Sequence, residues 1–257
     1  MGNDGAIHHF DGSTFAVADL EPVREFPLRL IVNGRELATL IASPHDLRFL
    51  VAGFLHSQGF VRHCDDFLML SICADFGVAN VRIKGDLPEK LQPVLTSGCG
   101  AGIAFSLPAS AAGGAARPNG TSRFAPPHVF SLMDQMARLA GQYRRHGGMH
   151  SAAVGDGDGT LLIHAEDLGR HNTIDRIAGE ALLTGRDLSG KMLVTSGRVS
   201  SEMAAKAAGL GIALIASRTA PTDMAVRICR EAGIVLIGYL LGGRFNVYNL
   251  PQGLFFS

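Results

Sequence analysis

The second half of the chain alternates short apolar runs with amphipathic segments. KMLVTS (191–196), IALIAS (212–217) and IVLIGYL (234–240) have the length and composition of buried strands. Between them, SSEMAAKAAGLG (200–211) and PTDMAVRICREAG (221–233) repeat apolar residues at helical spacing. Strands that alternate with helices pair in parallel through right-handed crossovers. This half of the sequence therefore predicts an α/β domain.

Further elements flank the alternating region. The pattern predicts an amphipathic helix over 129–145, a hairpin over 151–165, and a helix over 172–185 that ends at Gly185. RFNVY (244–248) is predicted to be an edge strand.

The N-terminal part predicts a smaller α+β unit. Residues 28–42 contain two strand-like runs around Asn33-Gly34, a dipeptide that favours a type I′ turn because both positions need positive φ. A weaker pair of strands is predicted at 67–74 and 78–85.

A helix is predicted between these strand pairs, over 43–59. Ser43 is a suitable cap, Pro44 suits the first helical position, and Gly59 can end the helix. The apolar face of this helix consists of Leu47, Leu50, Val51, Phe54 and Leu55.

The composition changes in the middle of the chain. Residues 107–127 are rich in Ala, Gly and Pro, which predicts a flexible linker or loop. A loop of this length is often functional, although an ordinary domain linker has the same composition. The predicted organisation is an N-terminal unit over 1–106, the linker, and the α/β domain over 128–257.

Overall charge and hydropathy exclude some classes of function. The chain has 23 basic and 23 acidic residues, so a general nucleic-acid-binding surface is not expected. There is no run of 18 apolar residues, and we expect no membrane span. The start MGNDGAIHHF lacks the basic and apolar regions of a secretory signal, which predicts a cytoplasmic protein.

The four cysteines differ in their surroundings. No two have the two-residue spacing of a zinc knuckle or a redox dithiol. Cys229 borders a helical apolar stripe and Cys73 lies in an apolar run, so both are interpreted as core residues. Cys64 lies in the polar segment RHCDD and can be exposed, but no neighbouring residue indicates a function for it. Cys99 is left as the candidate for chemistry.

The segment LTSGCGAGIAF (95–105) places Cys99 among small residues. Glycine on both sides allows backbone conformations that other residues avoid, so the sulfur can be presented outward. Access and the fraction of thiolate determine how reactive such a cysteine is.

Polar residues follow each strand of the predicted parallel sheet. The turns GRVSSE, RTAPTD and LLGGR come directly after a strand, where ligands of such sheets bind. Ser200 or Ser201 can cap the next helix and leave its first amides facing the crevice. Each turn alone is ordinary, but together they predict a ligand that contains phosphate. The side chains placed to meet an anion are Arg198, Arg218, Thr222 and Arg244.

A further polar cluster lies in HAEDLGRHNTID. Asp167, Arg170, His171 and Asn172 surround Gly169. Asp167 can orient His171 or pair with Arg170, and Asn172 can cap the following helix. A capping turn with a surface ion pair is the simpler interpretation, whereas the mixture of acid, base and amide favours a ligand site.

A zinc deaminase would need the motif H-x-E and a later P-C-x-x-C. After His150, Ala152 stands in place of the glutamate, and Pro221 is followed by Thr222. No metal site is predicted.

The order and spacing of these motifs resemble the FdhD/NarQ family, the formate dehydrogenase accessory sulfurtransferases. The resemblance covers most of the chain outside the linker. It rests on REFPLRLIVNGR, PHDLRFLVAGFLHSQGF, GGMHSAA, EDLGRHNTIDRIAG, SGRVSSEMAAKAAGLGI and SRTAPTDMAVRICREAGIVLIGY.

The resemblance implies both a fold and a function. The larger domain is expected to be a three-layer α/β domain like that of cytidine deaminases, without zinc, in a homodimer. Cys99 is expected to take sulfur from a cysteine desulfurase as a persulfide and pass it to the molybdenum bis(molybdopterin guanine dinucleotide) cofactor for formate dehydrogenase. The cofactor-binding stretch of the family maps onto Tyr239, Leu240, Leu241, Gly242, Gly243 and Arg244. The polar turns and the polar cluster described above add Arg170, His171, Ser196, Arg198 and Thr222 to the expected cofactor-binding residues.

One position departs from the family pattern. The sulfur-carrying motif of the family is C-G-x-C, and here it is Cys99-Gly100-Ala101-Gly102. If the second cysteine helps to release sulfur as a disulfide, this chain must release it differently, and an external thiol or reductant could substitute. One alternative is a chaperone that only binds and delivers the cofactor. Another is a nucleotide-processing enzyme on the same scaffold, and the missing H-x-E and P-C-x-x-C motifs count against it. The sequence does not decide between a sulfurtransferase-type persulfide carrier and a protein without catalytic activity.

Overall fold

The computed structural model describes residues 7–88, 93–96, 102–105 and 124–251. Cys99 and most of the predicted linker lie outside these ranges. No helix in the described part of the chain is long and apolar enough to cross a membrane. The elements up to residue 105 are β1 (Ile7–Phe10), β2 (Phe15–Ala18), β3 (Phe26–Val32), β4 (Arg35–Ala42), α1 (Leu47–Ser57), β5 (Phe67–Cys73), β6 (Val78–Ile83), β7 (Pro93–Thr96) and β8 (Gly102–Phe105).

The N-terminal unit is a four-stranded sheet in the order β4-β3-β6-β5, with α1 packed on one face. The predicted hairpin is confirmed: β3 and β4 pair in antiparallel fashion, and Asn33 and Gly34 have φ values of 50° and 80°. Positive φ at both central positions is typical of a type I′ turn. The predicted pair β5–β6 is also confirmed as antiparallel. β1–β2 and β7–β8 form separate two-stranded sheets.

Helix α1 begins later than its capping residues predict. Its N-terminal flanking residue is Asp46, in the left-handed conformation with φ 43°, and the first helical residue is Leu47. The side chain of Ser43 does not cap this helix. Instead, its hydroxyl accepts a hydrogen bond from the amide of Leu168, 3.1 Å away in the second unit. A contact between the units has therefore replaced the local cap.

The second unit follows the predicted alternation of strands and helices. Its elements are α2 (Pro126–Leu139), α3 (Gly141–His146), β9 (His150–Gly155), β10 (Leu161–Asp167), α4 (Arg170–Thr184), β11 (Met192–Thr195), α5 (Ser201–Gly209), β12 (Leu214–Ser217), α6 (Asp223–Ala232), β13 (Val235–Leu241) and β14 (Arg244–Asn249).

These strands form a six-stranded sheet in the order β10-β9-β11-β12-β13-β14. β11, β12 and β13 are parallel, as the alternating pattern predicts, while the hairpin β9–β10 and the edge strand β14 are antiparallel to their neighbours. Helices α4, α5 and α6 cover one face of the sheet, and α2 covers the other. The unit is therefore a three-layer α/β domain. Its finer resemblance to cytidine deaminases stays a prediction.

The helix predicted over 129–145 is two helices. Ala140 leaves the helical conformation with φ −66° and ψ 66°, and α3 starts again at Gly141. The carboxylate of Glu166 accepts hydrogen bonds from the amides of Gln142 and Tyr143, both at 3.0 Å. This carboxylate on a neighbouring strand satisfies first-turn amides of α3, and the apolar pattern of the helix alone cannot indicate such a contact.

The two units pack closely against each other through α1 and α4. Leu182, near the end of α4, packs against the core of the N-terminal unit. The predicted end of α4 is confirmed at Gly185, which follows the last helical residue and adopts the left-handed conformation with φ 68°.

Candidate functional site

The turns that follow β11, β12 and β13 meet at one edge of the sheet. Val199 and Pro221 form an isolated parallel bridge, and the amide of Thr222 donates to the carbonyl of Val199 at 2.9 Å. The amide of Tyr239 donates to the carbonyl of Thr219 at 3.1 Å. These bonds join the turn after β11 to the turn after β12, and that turn to Tyr239 near the end of β13, so the polar residues after the strands form one rim.

Two helices begin at this rim with side-chain caps. The hydroxyl of Ser200 accepts from the amide of Met203 at the start of α5, and that of Thr222 accepts from the amide of Ala225 at the start of α6. Of the two serines considered for capping α5, the structure uses Ser200. Arg198 and Arg218 are exposed in the turns before these caps. Helix N-termini with nearby guanidinium groups are suited to phosphate oxygens.

The start of α4 contacts the first of these turns. Nε2 of His171 lies 3.0 Å from the hydroxyl of Ser200. A Cβ atom on Gly197 would come within 2.9 Å of the Cβ of Arg170, so glycine is what lets the turn approach α4. The hydroxyl of Ser196 lies 3.4 Å from Nδ1 of His150. These contacts gather Arg170, His171 and Ser196 in one place, and their part in binding a cofactor stays a prediction.

A buried charge cluster lies behind His171. Nζ of Lys206 lies 2.8 Å from Asp175 and 3.1 Å from Glu202, and Nε2 of His171 lies 3.5 Å from Glu202. Burial lowers the pKa of Lys206, but Asp175 and Glu202 together raise it above its ordinary value. Lys206 is therefore charged at neutral pH.

The same cluster keeps His171 neutral. Burial lowers the pKa of His171 to about 4, and the charges of Lys206 and Arg170 act in the same direction against the attraction of Glu202. Burial also lowers the pKa of His150, again with a contribution from Arg170. At neutral pH the start of α4 thus holds the guanidinium group of Arg170 beside the uncharged imidazoles of His150 and His171, and Arg170 and His171 are largely buried, at 5% and 8% exposure.

The hairpin between β13 and β14 forms the far end of the rim. Tyr239 is 51% exposed and has φ 54°, a conformation that is strained for an aromatic residue. Gly242 and Gly243 make the turn with φ values of 62° and 74°. An open cavity of about 400 Å³ is lined by Tyr239, Arg244, Phe245 and Asn246. Aromatic, guanidinium and amide groups of this kind suit a planar ring that bears phosphate.

The chain was compared with known proteins and protein families. The model of the FdhD/NarQ family matches residues 23–255. This chain belongs to the FdhD/NarQ family. The Sulfur carrier protein FdhD of Staphylococcus aureus, strain Newman, is 34% identical over 250 residues, which cover 96% of this chain and 93% of the relative. The protein of that name from strain MRSA252 matches to the same extent.

A solved structure shares the fold of this FdhD/NarQ chain. It is a crystal structure titled as that of a candidate formate dehydrogenase accessory protein from Desulfotalea psychrophila. The TM-score is 0.78 at 23% sequence identity, and the match covers 97% of each chain. The described residues of both units therefore share the architecture of that protein.

The predicted site residues of this FdhD/NarQ chain fall into separate groups. Arg170, His171 and Ser196 meet at the start of α4, whereas the segment 239–244 lies at the other end of the rim. The side chain of Leu240 is buried in the core and is not available to a ligand. Cys99 lies outside the described residues.

Two residues of the polar cluster at 164–175 have structural roles. Asp167 forms a buried ion pair with Arg176 at 2.6 Å, a partner that the sequence interpretation did not consider. Asn172 does not cap α4. Its amide donates to the carbonyl of Ile41 and to Asp167, both at 2.8 Å. Both side chains bind the N-terminal unit to the second unit.

The sequence interpretation missed the charge cluster behind His171. Glu202 and Lys206 are four residues apart in a helix whose other residues are mostly alanine, and this spacing was an available signal. Asp175, which completes the cluster, lies on a different helix, so only the fold reveals the pairing. In the part of the chain that the structure describes, no group of three or more His, Cys, Asp or Glu is arranged to hold a metal.

The remaining cysteines have distinct environments. Cys229 is buried in the core, as predicted, and burial raises the pKa of its thiol to about 12. Cys64 is exposed. Cys73 was predicted to be a core residue, but it is half-buried because it lies at the end of β5, the edge strand of the N-terminal sheet.

Proposed function

We propose that this chain is a sulfur carrier protein that serves formate dehydrogenase, with Cys99 as the carrier residue. In this proposal Cys99 takes sulfur from a cysteine desulfurase as a persulfide and delivers it to the molybdenum bis(molybdopterin guanine dinucleotide) cofactor. The observation that carries the proposal is the 34% identity to Sulfur carrier protein FdhD over 96% of the chain. The polar rim supports the cofactor part, since its capped helix starts and arginines suit diphosphate groups.

The first step requires only a thiolate and an accessible position. The thiolate of Cys99 attacks the outer sulfur of the donor persulfide, the S–S bond of the donor breaks, and the electron pair leaves with the donor cysteine. Cys99 then holds one extra sulfur atom. Cys229 is unsuited to this step because it is buried with a pKa of about 12.

The release step differs from the one that two cysteines would perform. A second thiolate can attack the inner sulfur of the persulfide, form a disulfide and expel the outer sulfur as hydrosulfide, which supplies the two electrons that sulfane sulfur needs. Gly102 stands where the family motif has that cysteine. We therefore assign the attack to a thiol from outside the chain, which becomes the disulfide partner of Cys99.

The cofactor is the substrate of this transfer. The groups proposed to hold it are Arg170, His171 and Ser196 at one end of the rim, the turns at Arg198 and Thr222, and the hairpin from Tyr239 to Arg244. The proposal also places the protein in the cytoplasm as a homodimer, and it makes cysteine desulfurase and formate dehydrogenase its successive partners.

Intact-mass spectrometry tests the carrier role directly. The chain is incubated with a cysteine desulfurase and cysteine, in parallel with Cys99→Ala and the control Cys64→Ala, whose thiol is exposed. We expect a mass gain of one or more sulfur atoms in the wild type and in Cys64→Ala, none in Cys99→Ala, and loss of the gain on reduction. An equal gain in Cys99→Ala would contradict the assignment.

A second candidate function is that of a chaperone that binds and delivers the cofactor. The glycine at position 102 favours it, because the chain lacks the second cysteine of the family motif. A wild-type chain that binds guanine nucleotide but gains no sulfur mass would support this role. The rim would then be the main functional site.

A further inference from the structure

Asp167 is the centre of a buried hydrogen-bond network between the two units. It is fully buried, at 0% exposure. Oδ1 accepts from the amide of Gly169 at 2.9 Å and from the side chain of Asn172 at 2.8 Å. Oδ2 accepts from the amide of Ser43 at 3.2 Å and from Nε and Nη2 of Arg176 at 2.9 and 2.6 Å. Both carboxylate oxygens are therefore satisfied, one mainly by the turn and the other by the opposite unit and Arg176.

Arg176 extends this network into the N-terminal unit. Nη2 donates to the carbonyl of Ser43 at 2.8 Å, and Nη1 donates to the carbonyl of His45. The second unit makes return contacts. The amide of Leu168 donates to the hydroxyl of Ser43, and Nε2 of His45 lies 3.0 Å from the carbonyl of Glu166. The planar fork of arginine can serve these acceptors together, which the single ammonium of lysine cannot do.

The turn held by Asp167 leads directly into α4. Arg170 and His171 are the first two residues of this helix, and they contact the rim at Gly197 and Ser200. Both residues lie within four positions of Asp167 along the chain, so a change in the conformation of this turn is expected to move both side chains. The N-terminal unit is part of the same arrangement, because it supplies the amide of Ser43 to Asp167 and carbonyls to Arg176.

A role in stability alone does not require these particular groups. Buried ion pairs are often no more stabilising than apolar residues of similar size, and their best-attested use is to fix one arrangement among several. Here the arrangement that is fixed is the placement of the loop from 43 to 46 against the start of α4.

We propose that Asp167 and Arg176 are positioning residues for an anion site at the start of α4. They hold Arg170 and His171, which are only 5% and 8% exposed, at the part of the rim where a diphosphate group is proposed to bind, and they make the affinity of this site depend on how the N-terminal unit is docked. This inference rests on the proposed function, because the diphosphate is taken to be that of a nucleotide-containing cofactor. Neither residue is proposed to touch the ligand.

Titration calorimetry with GDP and with inorganic diphosphate tests this role on the full chain. The variants are Asp167→Asn and Arg176→Lys, and the control is Lys191→Ala, which breaks a half-exposed ion pair with Asp156 in the same domain. We expect both variants to bind GDP about ten-fold more weakly than the wild type. A change of this size corresponds to the loss of one well-placed charge-assisted hydrogen bond. The control is expected to bind like the wild type.

A second readout separates positioning from stability. The imidazole resonances of His171, followed by NMR well below the unfolding temperature, are expected to shift in Asp167→Asn and stay unchanged in the control. If Asp167→Asn does not fold, Ser43→Ala replaces it. That variant removes the hydroxyl that binds Leu168 without leaving a buried charge unpaired, and it is expected to weaken GDP binding several-fold.

The outcomes are distinguishable. Folded variants that bind GDP within two-fold of the wild type, with unchanged His171 resonances, would overturn the positioning role and leave the proposed function intact. A wild-type chain that binds neither GDP nor diphosphate would contradict the proposed cofactor site itself, and the positioning role with it.

Discussion

Gly53 of α1 and Gly179 of α4 meet backbone to backbone where the two helices cross. A Cβ atom on Gly53 would lie 1.7 Å from the carbonyl oxygen of Asp175, and one on Gly179 would lie 1.9 Å from that of Phe49. The obstructing atoms are backbone, which cannot rotate away as a side chain can. Close contact between the N-terminal unit and the α/β domain therefore requires glycine on both helices.

Gly53→Ala is expected to destabilise the chain by about 3 kcal/mol or more, since overpacking of a tight core costs about 1–3 kcal/mol even where side chains can adjust. The free energy of unfolding in urea measures the change. Gly209→Ala is the matched control because this helical glycine has no atom within 4 Å of an added Cβ. Equal stability of the two variants would contradict the close contact.

Lys206→Met is expected to lower the free energy of unfolding by about 3–5 kcal/mol, because it leaves the buried carboxylate of Asp175 without its cation. Lys191→Met removes an ion pair of 2.6 Å that is partly exposed, and it is expected to cost less than about 1 kcal/mol. Urea unfolding at pH 7 compares them. Similar losses in the two variants would show that burial of the Lys206 cluster has no energetic consequence.

The chain is expected to become less stable as the pH is lowered, because His171 takes up a proton more readily in the unfolded chain. The pKa of this residue is about 4 in the folded chain against an ordinary 6.5, so below pH 6.5 the unfolded chain binds more protons. The stability that His171 confers is thus complete above about pH 6.5 and is lost as the pH falls toward 4.

Unfolding free energies at pH 7.5 and 5 measure this loss in the wild type and in His171→Gln. The wild type is expected to lose up to about 2 kcal/mol more than the variant, which has no titrating group at that position. The charged and titratable groups near this imidazole are Glu202, Lys206, Arg170 and His150. Parallel pH profiles would contradict the lowered pKa of His171.

Cys229 is expected to resist alkylation in the native chain, while Cys64 reacts. The thiol of Cys229 is buried with a pKa of about 12, so almost none of it is thiolate at pH 8. Peptide mapping after treatment with N-ethylmaleimide, with and without denaturant, measures both sites. Modification of Cys229 in the native chain at the rate of Cys64 would contradict its burial.

Local sequence determined most of the helices and strands. Glycine at positions 34 and 185 marked a turn and a helix end because both need positive φ, and the apolar runs before Ser196 and Ser217 marked parallel strands. The rim of the site was predictable for the same reason, since polar turns at the carboxyl ends of parallel strands share one edge.

Tertiary structure decided the features that depend on partners far along the chain. Glu166 binds the first amides of α3 after the break at Ala140, and Ser43 binds Leu168 rather than capping α1. Asp167 pairs with Arg176, and Lys206 pairs with Asp175 across two helices. Periodicity reports which face of an element is buried, whereas the partner of a buried polar group depends on which elements the fold brings together. The sequence alone therefore determined most of the elements and the rim of this protein, and only the fold decided where some helices begin and end and how the buried charges are paired.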